Sequence, residues 1–111
     1  MVRPAEGGDA VLTTLAISLL LTLLLEEAFA LLWGLRGRRE LALVALVNCL
    51  TNPPVVLLYY ALSLPVLLLE AAAVLVEWRC YRTFSDQLRR PFLFALLANV
   101  LSYTVGYLIN F

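Results

Sequence analysis

The chain reads as an all-α integral membrane protein of four transmembrane helices, built as two tandem helix hairpins that cross the bilayer in the same sense. Three observations point there. The 111 residues are 63% hydrophobic with a mean hydropathy of +0.92, whereas a soluble domain holds about 45–50% apolar residues. The apolar residues come in unbroken runs such as 19–25, not in the alternation a membrane barrel needs. The polar residues within those runs also recur. Glu26, Arg38, Arg39, Asn48 and Thr51 are followed 51 positions later by Glu77, Arg89, Arg90, Asn99 and Ser102, without a gap.

Crossing the hydrocarbon takes about 20 predominantly apolar residues, and four such stretches fill one membrane domain over residues 1–111. The first, 10–33, ends on Trp33 before Gly34 and Gly37 loosen the chain. It is too long for a secretory leader, and residues 1–9 carry one Arg against Glu6 and Asp9, so it is expected to be retained. The second, 40–62, contains Asn52-Pro53-Pro54. The prolines remove the N–H groups that would bond the carbonyls of Cys49 and Leu50, which predicts a helix break with two freed oxygens. A tight Ser63-Leu64-Pro65 connection leads to the third, 64–84, where Glu70 and Glu77 stand seven apart on one helix face. The fourth, 91–111, has Ser85 or Asp86 as a candidate cap and Pro91 in its first turn. Cys49 and Cys80 have neither metal nor disulfide spacing and are expected to be packing residues.

Seven of the eight Arg fall between the first and second stretches or at and after the end of the third. These places are two crossings apart and therefore share a side, which the positive-inside rule makes cytoplasmic. Both termini are then expected outside, in a multi-pass protein of the cell membrane.

An acid inside the bilayer costs about 2.5 kcal/mol or more, so Glu26, Glu27, Glu70 and Glu77 must face the bundle, be protonated or find partners. Counting inward from the Arg pairs places Glu26, Asn48 and Asn99 at similar depth, on the order of 10–15 Å in. Glu77 joins them if its helix runs past Arg82. This predicts one polar cluster around a pseudo-two-fold axis, open toward the cytoplasm. Glu26, Glu77, Glu70, Asn48, Asn52 and Asn99 are its candidate cation- or proton-binding residues. Pro53, Pro54 and Thr51 shape the helix beside it. Asn99, Ser102, Tyr103, Gly106 and Asn110 form a small-and-polar stripe suited to close helix approach. Glu27 is expected to snorkel, pair with Arg36 or meet a second subunit, and Arg79 or Arg82 to anchor the interface or reach Glu77.

In size and helix number the chain resembles the small multidrug resistance exporters, but in plan only. The acid of that family lies in the first half of helix one, and Glu26 lies in the second. Its Glu-Glu pair also evokes the intramembrane proteases of prenylated proteins, which need His partners, and this chain has none. Without His, a paired-Cys motif or a Gly-rich phosphate loop, no catalytic residue, haem or nucleotide site is expected, and zinc through nitrogen and sulfur is disfavoured. The donor set is oxygen alone, which suits protons, hard cations or organic cations; the identity of any metal stays open. No cofactor and no nucleic acid are expected. The expected partners are the lipid bilayer and either further copies of the chain, to enclose so much polar surface, or another membrane protein. Transport or conduction of a cation or proton is the leading reading. A non-catalytic interaction or assembly subunit is the other.

Overall fold

The computed structural model describes residues 8–109. They form four helices: α1 (Gly8–Trp33), α2 (Arg38–Leu62), α3 (Val66–Phe84) and α4 (Pro91–Leu108). Each helix packs against its two neighbours around a square, α1 against α2 and α4, α3 against α2 and α4, while the diagonal pairs do not meet. Short connections make neighbours antiparallel, and the bundle measures 43 × 22 × 22 Å. Asn110 and the leader through Gly7 lie outside the described residues, as does the side chain of Asp9.

Three helices are long and apolar enough to cross a membrane: α1 from Ala10, α2 and α4. The third is not among them, because Glu70, Glu77, Arg79 and Arg82 crowd its 19 residues. Of these residues Glu77 ties α3 into the bundle, through hydrogen bonds from Thr51 of α2 and Asn99 of α4.

The first turn out of α1 is fixed, not loose. Gly34 N–H donates to Leu31 O (3.2 Å) and Leu35 N–H to Ala30 O (3.0 Å), the paired bonds of a Schellman ending. That ending requires the positive φ of Gly34, 115°, and it seats Leu35, 2% exposed, against the core. Arg36 then donates from Nη1 to the carbonyls of Leu31 (2.7 Å) and Leu35 (2.8 Å). At the other end Ser63 takes a left-handed conformation to close α2, with φ 53°.

Two sequence expectations fail locally. Neither Ser85 nor Asp86 caps α4, which begins on Pro91 with no side-chain cap. Ser85 Oγ instead accepts from Leu88 N–H (3.1 Å) in the turn before it. The double proline does not break α2, which runs helically through Pro53 and Pro54. The two carbonyls still lack ladder donors, but Cys49 and Leu50 are exposed residues on the outer face. Cys49 therefore packs against nothing in the bundle interior.

The core is layered. At the Arg-rich end Ala30, Leu35, Val44, Val47, Val74, Tyr81, Phe94 and Ala95 pack together. Phe94, fully buried, lies 5.2 Å from Tyr81 and 5.6 Å from both Phe29 and Trp33 between ring centroids. Toward the other end Val55, Leu69 and Ala73 form a smaller cluster. Between the two lies a polar layer.

Candidate functional site: a buried carboxyl pair

The polar layer surrounds a cavity of about 60 Å³. A water needs on the order of 10–15 Å³ of such space, so it accommodates a few waters or a small cation. All four helices contribute. From α1 come Ser18, Thr22 and Glu26, from α2 Asn48, Thr51 and Asn52, from α3 Glu70 and Glu77, and from α4 Asn99, Ser102, Tyr103 and Gly106. Every cation- or proton-binding candidate read from the sequence is therefore in one place. Glu77 reaches the level of Glu26 because α3 continues past Arg82 to Phe84.

Glu26 and Glu77 are 0% and 1% exposed. Glu77 accepts from Thr51 Oγ1 through Oε2 (2.8 Å) and from Asn99 Nδ2 through Oε1 (2.7 Å). Glu26 accepts from Ser102 Oγ through Oε2 (3.0 Å). Its Oε1 is buried with no hydrogen-bond partner.

These contacts come in pairs displaced by 51 residues. The bond from Thr51 to Glu77 has its counterpart in the bond from Ser102 to Glu26. Each hydroxyl also reaches a carbonyl one turn back, Thr51 that of Val47 (3.1 Å) and Ser102 that of Ala98 (3.0 Å). Asn48 Nδ2 donates to Val44 O, and Asn99 Nδ2 to Ala95 O, both at 2.8 Å. At the bundle end the equivalent residues Arg36 and Gln87 meet each other. Arg36 N–H donates to Gln87 Oε1 (2.9 Å), and Gln87 Nε2 donates to Arg36 O (2.7 Å). One pair is unequal. Asn99 Nδ2 bonds both a carbonyl and Glu77, whereas Asn48 Nδ2 bonds its carbonyl and only approaches Glu26, so Glu26 Oε1 has no partner at hydrogen-bond distance.

The hydroxyls have a proton-counting consequence. Thr51 and Ser102 each carry one O–H proton and face two acceptors, a carbonyl and a carboxyl. A hydroxyl that donates to the carboxyl serves a carboxylate. Turned to the carbonyl, it accepts from a protonated carboxyl instead. Both protonation states thus keep a hydrogen bond with the heavy atoms unmoved.

The cavity does not open toward the Arg-rich end, because Phe94, Tyr81 and their neighbours close it there. It extends the other way, along Ser18, Asn52, Glu70, Tyr103 and Gly106. Asn52 ties the walls, donating to Thr22 Oγ1 (3.3 Å) and accepting from Ser18 Oγ (3.4 Å). Glu27 lines no part of this cavity. Arg36 is committed to carbonyls and does not pair with Glu27. Among the described residues the ion pairs involve only Arg39, so neither Arg79 nor Arg82 reaches Glu77.

Sequence reading passed over two features. Thr14, Ser18, Thr22, Glu26 and Ala30 recur every four residues, a single face of α1, and that spacing was available as a signal. Glu40, 2% exposed, accepts from Ser85 Oγ (2.5 Å), Gln87 N–H (2.9 Å) and Arg39 Nη1 (3.2 Å). Arg39 also meets Asp86 (2.9 Å) and donates to Phe84 O (2.8 Å). An acid among three arginines at a helix start reads as a solvated charge, and only the fold brings residues 85–87 over it.

Comparison with known proteins adds no relative: no family model matches the chain, and no curated protein or solved structure matches it.

Proposed function

We propose that this chain is a small multi-pass membrane protein in which Glu26 and Glu77 form one site for protons or a small cation, acting as a cation- or proton-coupled transporter or channel. The observation that carries the reading is the charge of the cavity lining. It holds three carboxyls, Glu26, Glu70 and Glu77, and no arginine. An unpaired ion in such a place costs several kcal/mol, so these groups stay neutral by binding protons or are balanced by a cation. The unpartnered Glu26 Oε1 marks where such a species would bind, and the Thr51 and Ser102 hydroxyls accommodate its arrival and departure.

In this reading all four helices cross the bilayer, with Glu77 of α3 shielded by α2 and α4 and Glu70 half-buried between the cavity and the outer α3–α4 groove. The Arg-rich loops lie in the cytoplasm and both termini outside. The cavity then extends toward the outer leaflet, with the aromatic layer around Phe94 as the barrier on the cytoplasmic side. The two hairpins are halves of a tandem duplication about an axis along the membrane normal, a reading supported by the contacts displaced by 51 residues. One chain encloses its buried acids by itself, so a homo-oligomer is not needed to shield them.

The test is flux into liposomes holding a proton- or cation-sensitive dye. The parent protein should carry it, and Glu77→Gln should reduce it at least about tenfold, the scale of losing one charge-assisted contact. Flux indifferent to Glu77 would leave the carboxyls as seals between helices.

A further inference from the structure

We propose that the outer face of α3 and α4 binds one anionic phospholipid, its phosphate on Arg82 and Arg89 and one acyl chain lying along the helices. The inference rests on the helices spanning a bilayer and is independent of what the carboxyl pair binds.

Two surface hollows meet on this face. A notch of about 410 Å³ at the Arg-rich end is lined by Trp78, Arg82, Leu88, Arg89 and Pro91. An apolar groove of about 400 Å³ continues between the helices, with Leu67, Ala71, Leu75, Phe92, Leu96 and Val100 among its walls. Phe92 of the groove packs edge-on against Trp78 of the notch, 5.7 Å between centroids, so the two hollows adjoin at this ring pair. From Trp78 to Leu67 is eleven residues of helix, about 16 Å at the usual rise. Leu67 is the second residue of α3, so the groove runs most of the length of that helix and offers an acyl chain a continuous apolar wall.

Charge sets the orientation and the class of lipid. Neither Arg82 nor Arg89 has an ion pair among the described residues. Arg82 lies over the Trp78 ring, 5.9 Å from its centroid, a placement that holds the guanidinium near the interface with its N–H donors free for phosphate. The far end of the groove carries Glu70, which disfavours an anionic headgroup there. Basic hollows between helices on the cytoplasmic side are suited to anionic headgroups.

The other hairpin lacks this combination. Fifty-one positions before Trp78 and Arg82 stand Glu27 and Leu31, although Arg38 matches Arg89. An acid replaces the ring and an alkyl chain replaces the cation, so the site belongs to the second hairpin alone.

The experiment uses Trp78 fluorescence in a Trp33→Phe background, which keeps a ring among Phe29 and Phe94. The protein is reconstituted with phosphatidylglycerol or phosphatidylcholine brominated on the acyl chains, at equal mole fraction. Phosphatidylglycerol should quench Trp78 more strongly, with a preference of roughly fivefold per arginine. Arg82→Gln and Arg89→Gln should each reduce the preference, and the double variant should abolish it. Arg38→Gln should leave it intact. Should the double variant fail to insert, the single variants and a salt titration of the parent carry the same comparison. Equal quenching by the two lipids overturns the proposal. So does a preference that survives loss of both arginines, or one that Arg38→Gln lowers as much as Arg89→Gln, which would indicate a diffuse surface potential.

Discussion

A hydroxyl with one proton and two acceptors links the chemistry of the site to single side chains. Thr51 faces Val47 O and Glu77, and Ser102 faces Ala98 O and Glu26. If the hydroxyl serves both protonation states of its carboxyl, Thr51→Ser should preserve flux, while Thr51→Val should lower it by roughly tenfold, equivalent to about 1.4 kcal/mol. A steady-state rate in liposomes distinguishes these outcomes; equal rates for Ser and Val would remove the hydroxyl from the mechanism. At this scale the sequence was informative about residue types. An acid or amide in an apolar run needs an enclosed partner, and that requirement together with the 51-residue register selected Glu26, Glu77, Asn48 and Asn99. It could not supply Tyr81 or Phe94, because aromatics in a membrane helix carry no mark that distinguishes a plug above a polar cavity from a lipid-facing ring. The expected opening toward the Arg-rich end was wrong for this reason.

Helices and their ends depend on both periodicity and turn chemistry. Glu40 shows how an element end draws on distant sequence: the first turn of α2 holds the Ser85-Asp86-Gln87 turn through one buried carboxyl. Glu40→Ala would remove the acceptor of the half-buried Ser85 hydroxyl and of the Gln87 N–H, and each lost hydrogen bond costs about 1 kcal/mol. The thermal midpoint in detergent should fall and the Gln87 amide should exchange faster with solvent. An unchanged exchange rate at Gln87 would contradict the bond's structural role. Helix positions were largely legible from apolar runs between Gly, Pro and Arg, with α1, α2 and α3 each within two residues of expectation at the start and matching it at the end. The break at Pro53-Pro54 was not borne out, since two missing ladder donors do not end a helix whose neighbours hold it on both sides. The cap at Ser85 or Asp86 failed because Glu40 claims the Ser85 hydroxyl and Arg39 the Asp86 carboxylate.

The whole molecule is a square bundle with an aromatic layer, a carboxyl layer and an apolar layer stacked along its axis. Its proposed orientation makes a direct prediction. In a background with Cys49 and Cys80 replaced by Ser, Cys at Arg38 and Cys at Ser63 should label from opposite sides of a sealed vesicle, and Arg38 from the cytoplasmic one. Labelling of both from one side would reject the crossing scheme. The offset of 51 residues was legible in sequence as matched residue types, while the matched hydrogen bonds required the fold. The most direct measurement of the shared carboxyl site is a double-mutant cycle on flux, with Glu26→Gln, Glu77→Gln and both together in the same liposomes. Two groups serving one proton or cation couple strongly, so the double variant should be little slower than the slower single. Independent, multiplicative losses from the two substitutions, or flux that ignores both and depends on Glu27, would contradict a single shared site.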